Sequence, residues 1–334
     1  MIRQFQRPIL LSVIVPCLNE EEALRGTQVR LSSVLEQIPT NFEIIYVDDG
    51  STDATPEVLR ELQAYDSRVR VVRFSRNFGH QMAITAGLEH AAGDAVVIID
   101  ADLQDPPETI VDFFRKWQEG YDVVYGVRTE REGETAFKLW TAKLFYRFMT
   151  RLSDTQIPLD TGDFRLMDRR VLNVLLGMPE RDRFVRGMVS WLGFSQVAVP
   201  YRREARIAGV TKFSFFKMLR FALDGVFSFS IVPLRVATWT GFITSFLAIL
   251  GIVLVSLEHF LGVEGLVKGW TSTMFAVLFI GGVQLICMGI IGEYIGRIYG
   301  ESKHRPLYVV REILGFEGQK REANQSSLFI AGKQ

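Results

Sequence analysis

Four acidic side chains close an apolar run in the stretch IIDADLQDPPE, residues 98–108: Asp100, Asp102, Asp105 and Glu108, with prolines at 106 and 107. Like charges this close raise one another's pKa and cost stability unless something positive sits among them. A hard divalent cation, which prefers oxygen ligands, meets that need. The stretch is not an EF-hand loop. Counted from Asp100, position 6 is Asp105 where glycine is required, and position 12 is Val111 where a glutamate is required. Nor does the chain carry a phosphate cradle built from glycine. The first apolar run leads into PCLNEEE instead of G-x-G-x-x-G, and no G-x-x-x-x-G-K-[ST] occurs. A bound diphosphate would have its charge met by a cation, not by bare amides.

The elements that must hold these acids are legible as alternating strands and helices. LLSVIVP (10–16) is a continuous β-branched run, the pattern of a strand buried on both faces. EEALRGTQVRLSSVLEQI has helical spacing, and FEIIYVDDGSTD (42–53) is a second strand ending in acids. TPEVLRELQAY is a helix with Thr55 as its cap and Pro56 in its first turn. VRVVRFS, GHQMAITAGLEHAAG and DAVVIID add strand, helix and strand. This alternation predicts a parallel α/β sheet, in which ligands sit at the carboxyl ends of the strands. Three strands deliver polar residues there: Asn19 and Glu20, Asp48 and Asp49, Asp100 and Asp102. Asp48 and Asp53 are explained equally well by turn and cap chemistry, since DDGSTD is also a good turn.

The 334 residues leave room for one large domain or two ordinary ones. Lys+Arg and Asp+Glu balance at 38 each, which gives no electrostatic case for nucleic acid, and none is expected as a partner. Cys17 and Cys287 form neither a disulfide framework nor a zinc spacing, and the four histidines are scattered. The N-terminal apolar run is short and reads as the first strand, not a signal peptide. Hydrophobicity is concentrated late. Val236–Leu257 and Gly269–Gly292 carry no charge, and each makes a helix of roughly 33–36 Å, enough for a ~30 Å hydrocarbon core. Arg235 precedes the first run; Arg297, Lys303, Arg305 and Arg311 follow the second. The positive-inside rule then puts both termini and the soluble domain in the cytoplasm of a multi-pass protein of the inner or plasma membrane. The phenylalanine-rich stretch TKFSFFKMLRFALDGVFSFS (211–230) reads as helix lying in the headgroup layer. The expected organisation is a soluble domain at 1–210, interfacial helices at 211–232, a two-helix hairpin at 233–295 and a cytoplasmic tail at 296–334.

SVIVPCLNEEE, VDDGSTDAT and DADLQDPPE, in this order, resemble family 2 glycosyltransferases of the GT-A fold. SRNFGHQMAITAGLEHA, DTGDFRLMDRRV, RFVRGMVSWLGF, GVTKFS and IGEYIGRIYGE narrow the likeness to the polyprenyl-phosphate branch. That branch includes bactoprenol glucosyltransferases, dolichyl-phosphate mannose synthases and aminoarabinose transferases. The likeness runs from about residue 10 to residue 311. It implies an α/β, GT-A (Rossmann-like) domain followed by interfacial helices and two transmembrane helices. It also implies an inverting transfer of sugar from a nucleotide sugar, best matched by UDP-glucose, to polyprenyl phosphate for the cell envelope. GDP-mannose and UDP-aminoarabinose are the alternative donors.

The likeness also implies roles. Pro16, Glu20, Asp49 and Ala101 would line the donor pocket, with Asp49 accepting a hydrogen bond from the base. Asp102 and Gln104 would hold Mg²⁺ or Mn²⁺, with Asp100 contacting sugar or metal. Arg128 would face a donor phosphate; a surface salt bridge explains it as well. Asp163 would sit beside the acceptor, and Arg206 and Lys212 would meet the acceptor phosphate, with threonine at 211 where the branch usually has serine. Relatives assemble as homo-oligomers, so an oligomer, a tetramer among the forms, is expected. A processive polysaccharide synthase is disfavoured by the lack of Q-x-x-R-W and by only two spans. A non-catalytic membrane scaffold is disfavoured by the intact Asp49, Asp100, Asp102 and Gln104.

Overall fold

A computed structural model describes residues 8–129, 161–181, 183–203, 232–261 and 270–316. Strand and helix alternate as predicted through β1 (Leu10–Cys17), α1 (Leu24–Leu35), β2 (Asn41–Asp48), α2 (Thr55–Tyr65), β3 (Val69–Phe74), α3 (His80–His90) and β4 (Ala95–Ile98), and the alternation continues with α4 (Thr109–Gln118) and β5 (Val123–Arg128). There follow β6 (Thr161–Asp168), α5 (Arg169–Leu176), α6 (Val185–Trp191) and β7 (Gln196–Tyr201). Two long helices, α7 (Val232–Phe260) and α8 (Trp270–Ser302), precede a last strand, β8 (Val310–Leu314).

β1 to β4 form a parallel block in the order β3-β2-β1-β4. The full sheet is mixed, β7-β5-β6-β4-β1-β2-β3-β8, because β6 runs antiparallel to β4 and β5, and β8 antiparallel to β3. The expected parallel direction therefore holds for β1 to β5 and β7, which all run the same way, and among the described strands only β6 and β8 run against it. Strand direction leaves no mark in an apolar run, and antiparallel strands on an otherwise parallel sheet are common.

Alternate residues of β1 feed opposite layers. Leu11, Val13 and Val15 pack with Leu24 and Leu31 of α1, Leu59 of α2, and Phe113 and Trp117 of α4. Ile14 packs with Ala83 and Leu88 of α3, Leu172 of α5 and Val189 of α6. Each fully buried side chain of this kind contributes about 1.5–3 kcal/mol. On the second face the packing is close: a Cβ at Gly87 of α3 would lie 2.3 Å from Ile14 Cγ2. The product is a three-layer α/β/α domain, a GT-A (Rossmann-like) arrangement.

The chain divides into two compact units, this sheet domain, to which the β8 segment belongs, and the α7–α8 pair. Val232–Gly251 and Phe279–Ser302 are long and apolar enough to cross a membrane, and only 6% and 0% of those stretches is buried. Trp239, Phe242 and Phe246 stand exposed, where the core helix of a soluble protein would be covered. The expected tail at 296–334 differs from the structure at two places. α8 runs on to Ser302, with Arg297 paired to Glu293 one turn back at 3.2 Å, and residues 310–314 form an edge strand. Residues 211–231 of the expected interfacial segment lie outside the described residues.

Candidate active site

Register brings the acid-bearing strand ends level. Cys17 of β1 pairs with Asp48 of β2, and Ile14 of β1 with Ile98 of β4. Strand order reverses at β1, which has β2 on one side and β4 on the other; ligands bind at such switch points. A cavity of about 260 Å³ opens there, lined by Pro16, Cys17, Leu18, Glu20, Asp49, Asn77, Gly79, His80, Ala83, Asp100, Ala101 and Asp102. Pro16, Glu20, Asp49, Asp100, Ala101 and Asp102, six residues singled out from the sequence, thus share one wall.

Asp49 shapes this wall through the backbone. Its carboxylate accepts from the N–H of Phe78 at 2.7 Å and of Gly79 at 3.0 Å, and so anchors the chain just before α3. The neighbouring Gly50 makes the approach possible. Its φ is +73°, and a Cβ there would lie 2.4 Å from the carbonyl carbon of Arg76. Burial pushes the Asp49 carboxyl up, while the two backbone donors pull against it; the net direction is upward. Asp48 and Asp53 take the turn reading. Asp48 accepts from Ser51 N–H at 2.9 Å and faces Arg73 at 3.2 Å, and Asp53 accepts from Thr55 N–H at 3.0 Å.

The acidic stretch after β4 is pinned as well. Thr27 of α1 donates to the carbonyl of Ala101 at 2.7 Å, and Asp102 accepts from the N–H of Gln104 at 3.1 Å. Between them Leu103, buried, holds a left-handed conformation with φ of 55°. Such backbone costs about 1–3 kcal/mol and persists only where its surroundings enforce it.

His80, at the first position of α3, stands on the cavity wall between two acids. Its Nε2 lies 3.6 Å from Asp100 Oδ1 and 3.5 Å from Asp163 Oδ2. Desolvation pushes the Asp100 carboxyl up to about 6, against the pull of His80 and with the help of Asp105, Asp163 and Asp102. The 35% of this side chain that is exposed lies on the cavity wall. Burial would raise Asp163 too, but His80, Arg186 and Arg165 outweigh it and hold that carboxyl well below the usual range. For His80, burial is outweighed by Asp163, Asp100 and Asp49, and the imidazole is raised.

Three expected site residues are not on the wall. Gln104 is half-buried beside Asp102. Asp163 reaches the site through His80. Arg128 donates to Tyr201 Oη at 3.2 Å and lies 3.8 Å from the buried Asp105, whose carboxylate also accepts from Tyr201. The salt-bridge explanation of Arg128 therefore has a named partner. Arg206 and Lys212 lie outside the described residues. The sequence reading singled out none of Asn77, His80, Gln81, Arg186 and Tyr201. The motif FGHQ contained two of them, but a lone histidine at a helix start reads the same whether it faces solvent or a site.

Among the described residues the wall carries four carboxylates, from Glu20, Asp49, Asp100 and Asp102, and no lysine or arginine. This hard-oxygen donor set fits Mg²⁺ or Mn²⁺. Among the described residues no three His, Cys, Asp or Glu side chains group tightly enough to cage an ion by themselves. Mg²⁺ is commonly held by one or two carboxylates with substrate phosphates completing the shell, so the two observations agree.

Comparison with known proteins extends this geometry. Residues 12–176 match the family model described as Glycosyl transferase family 2, and residues 232–298 match the GtrB C-terminal hairpin. The chain is 48% identical over 319 residues to the "Uncharacterized glycosyltransferase YkcC" of Bacillus subtilis, covering 96% of this chain and 98% of that one. The chain belongs to glycosyl transferase family 2. Within this family it is 42% identical to the bactoprenol glucosyl transferase of Shigella phage SfV, over 90% of this chain and 98% of that one. It is 40% identical to the prophage bactoprenol glucosyl transferase homolog of Escherichia coli, over 91% and 99%. The protein is a glycosyltransferase, as the order of its motifs implies, and its second family match falls on α7 and α8.

Proposed function

We propose that this glycosyltransferase moves glucose from UDP-glucose to a polyprenyl phosphate at the cytoplasmic face of a membrane, with inversion at the anomeric carbon. The observation that carries the reading is the acidic cavity at the ends of β1, β2 and β4, where, among the described residues, four carboxylates and no arginine or lysine line the wall. Such a wall repels a diphosphate unless a cation intervenes. Asp100 and Asp102, with Gln104, would hold Mg²⁺ or Mn²⁺, which when bound neutralises charge building on the leaving diphosphate. The names of the bactoprenol relatives support the acceptor and the sugar.

The chain's own residues then have distinct tasks. Pro16, Glu20 and Ala101 shape the donor pocket, while Asp49 sets its edge by anchoring Phe78 and Gly79. Asp163 orients the acceptor. A phosphate monoester carries about −1.5 to −2 charge at pH 7, so its attacking oxygen needs little help from a base. A carboxyl held below the usual range is also a weak base, which favours orientation over proton abstraction. Arg206 and Lys212 meet the acceptor phosphate, and Arg128 contributes positive charge near Asp105 and Asp100. Holding acceptor beside donor supplies about 7–11 kcal/mol at most through proximity.

Membranes containing the full chain, given undecaprenyl phosphate and a radiolabelled panel of UDP-glucose, GDP-mannose and UDP-aminoarabinose, test this directly. Label from UDP-glucose enters the organic phase, chelation abolishes it, and the product shows a β-anomeric coupling constant. Labelled lipid from another donor alone would replace glucose. Transfer undiminished after chelation would remove the cation from the reading.

A further inference from the structure

We propose that Gln81 is a positioning residue for Asp163, an inference that rests on Asp163 standing beside the acceptor. Gln81 is the second residue of α3 and half-buried. α6 begins at Val185 behind Phe184, whose side chain makes no capping hydrogen bond. The first N–H groups of a helix have no partner within it. Val185 N–H finds one 104 positions away in sequence, donating to Gln81 Oε1 at 3.0 Å.

That bond sets the amide's polarity. A glutamine side chain has one accepting oxygen and one donating NH₂. With the oxygen taken by Val185, the NH₂ faces Asp163 and donates to its Oδ2 at 3.1 Å. Flipping the amide would set two donors together at one end and two acceptors at the other. The next residue of α6, Arg186, reaches the other oxygen, Oδ1, at 3.4 Å. Arg186 thus tethers one oxygen of Asp163, and Gln81 tethers the other beside His80, where the starts of α3 and α6 converge on β6. The role of Gln81 is to hold the plane of this carboxylate, in register with the acceptor. It touches neither substrate.

The experiment uses the full chain in membranes, with UDP-glucose and undecaprenyl phosphate. Gln81→Glu keeps an oxygen for Val185 N–H but removes the donor to Asp163. The expected result is a fall in kcat of about ten- to a hundredfold, with KM for UDP-glucose unchanged, as misplacement of a reacting partner produces. In an Asp163→Asn background the amide introduced at 163 can donate to the carboxylate introduced at 81. There Gln81→Glu is expected to cost less than about twofold, the non-additivity of residues acting as one unit. Gln81→Met loses both hydrogen bonds and lowers kcat and the melting temperature together. An unchanged kcat for Gln81→Glu, a rise in donor KM in its place, or an equal loss in both backgrounds overturns the proposal. Wild-type turnover by Asp163→Asn alone would instead overturn the reading of Asp163 on which the proposal stands; impaired Asp163→Asn without coupling would overturn the role of Gln81 only.

Discussion

The surroundings of Asp100 disfavour its charged form. Its folded-state pKa of about 6 stands above the ~3.9 of an unfolded aspartate. Between those values the folded state binds the extra proton, so this group's contribution to stability falls as pH rises and its penalty is complete above about 6. Two results follow for metal-free protein. Asp100→Asn raises the melting temperature at pH 7.5 and loses that advantage near pH 4, as a thermal series would read. Mn²⁺ binding in the presence of UDP, followed by calorimetry, weakens from pH 7.5 to pH 5 in the wild type, because the ion must displace a proton. An affinity flat across that range would remove Asp100 from the ion's ligands. Asp100 and Asp102 were legible because both sit in one short motif. His80 and Gln81 were not, since their partners lie 20 and 82 positions away on other elements. The pairing of β6 with β4 and the anchoring of the start of α3 by Asp49 bring them together.

At the level of elements, strands buried on both faces announced themselves, and β1, β2 and β4 stand where continuous apolar runs placed them. β6 and β8 did not. TGDFRLMD buries Arg165 and Asp168 among its apolar residues, and VREIL sets two adjacent charges among three aliphatic side chains, which is the pattern of a solvated tail as much as of an edge. What holds β8 is the packing around it. Tyr308, just before the strand, is 2% exposed, stacks on Phe74 with ring centroids 4.7 Å apart and hydrogen-bonds Glu89. Glu312 of β8 pairs with Arg60 at 2.9 Å on the surface. Tyr308→Ala is therefore expected to cost about 3–5 kcal/mol, and Glu312→Ala less than about 1 kcal/mol. Denaturant midpoints of the two variants measure the difference. Equal effects would mean that the strand is held by charge and not by burial.

On the scale of the whole molecule, residues before α7 and residues after α8 build one sheet. Both sets must then lie on the same side of any bilayer, so α7 and α8 cross it together or not at all. That parity does not depend on where lysine and arginine fall. Membrane fractions washed with alkaline carbonate are expected to keep the chain, and detergent to release it; release by carbonate would place both helices on the surface of the bilayer. The two apolar runs were plain in the sequence because charge is absent over so many residues. The return of the chain to β3 was not, because pairing across such a distance has no local pattern.

The edge position of β8 also bears on how the protein is made. β3 ends at Phe74, whereas β8 starts at Val310, close to the finish of the chain. At about 5–20 residues per second, the ribosome needs roughly ten to fifty seconds to go from one to the other. Through that interval the nascent domain carries an open strand edge, able to pair with a neighbouring copy, and it is sealed only after the apolar helices have emerged. Completion of the sheet thereby waits on synthesis of both apolar helices.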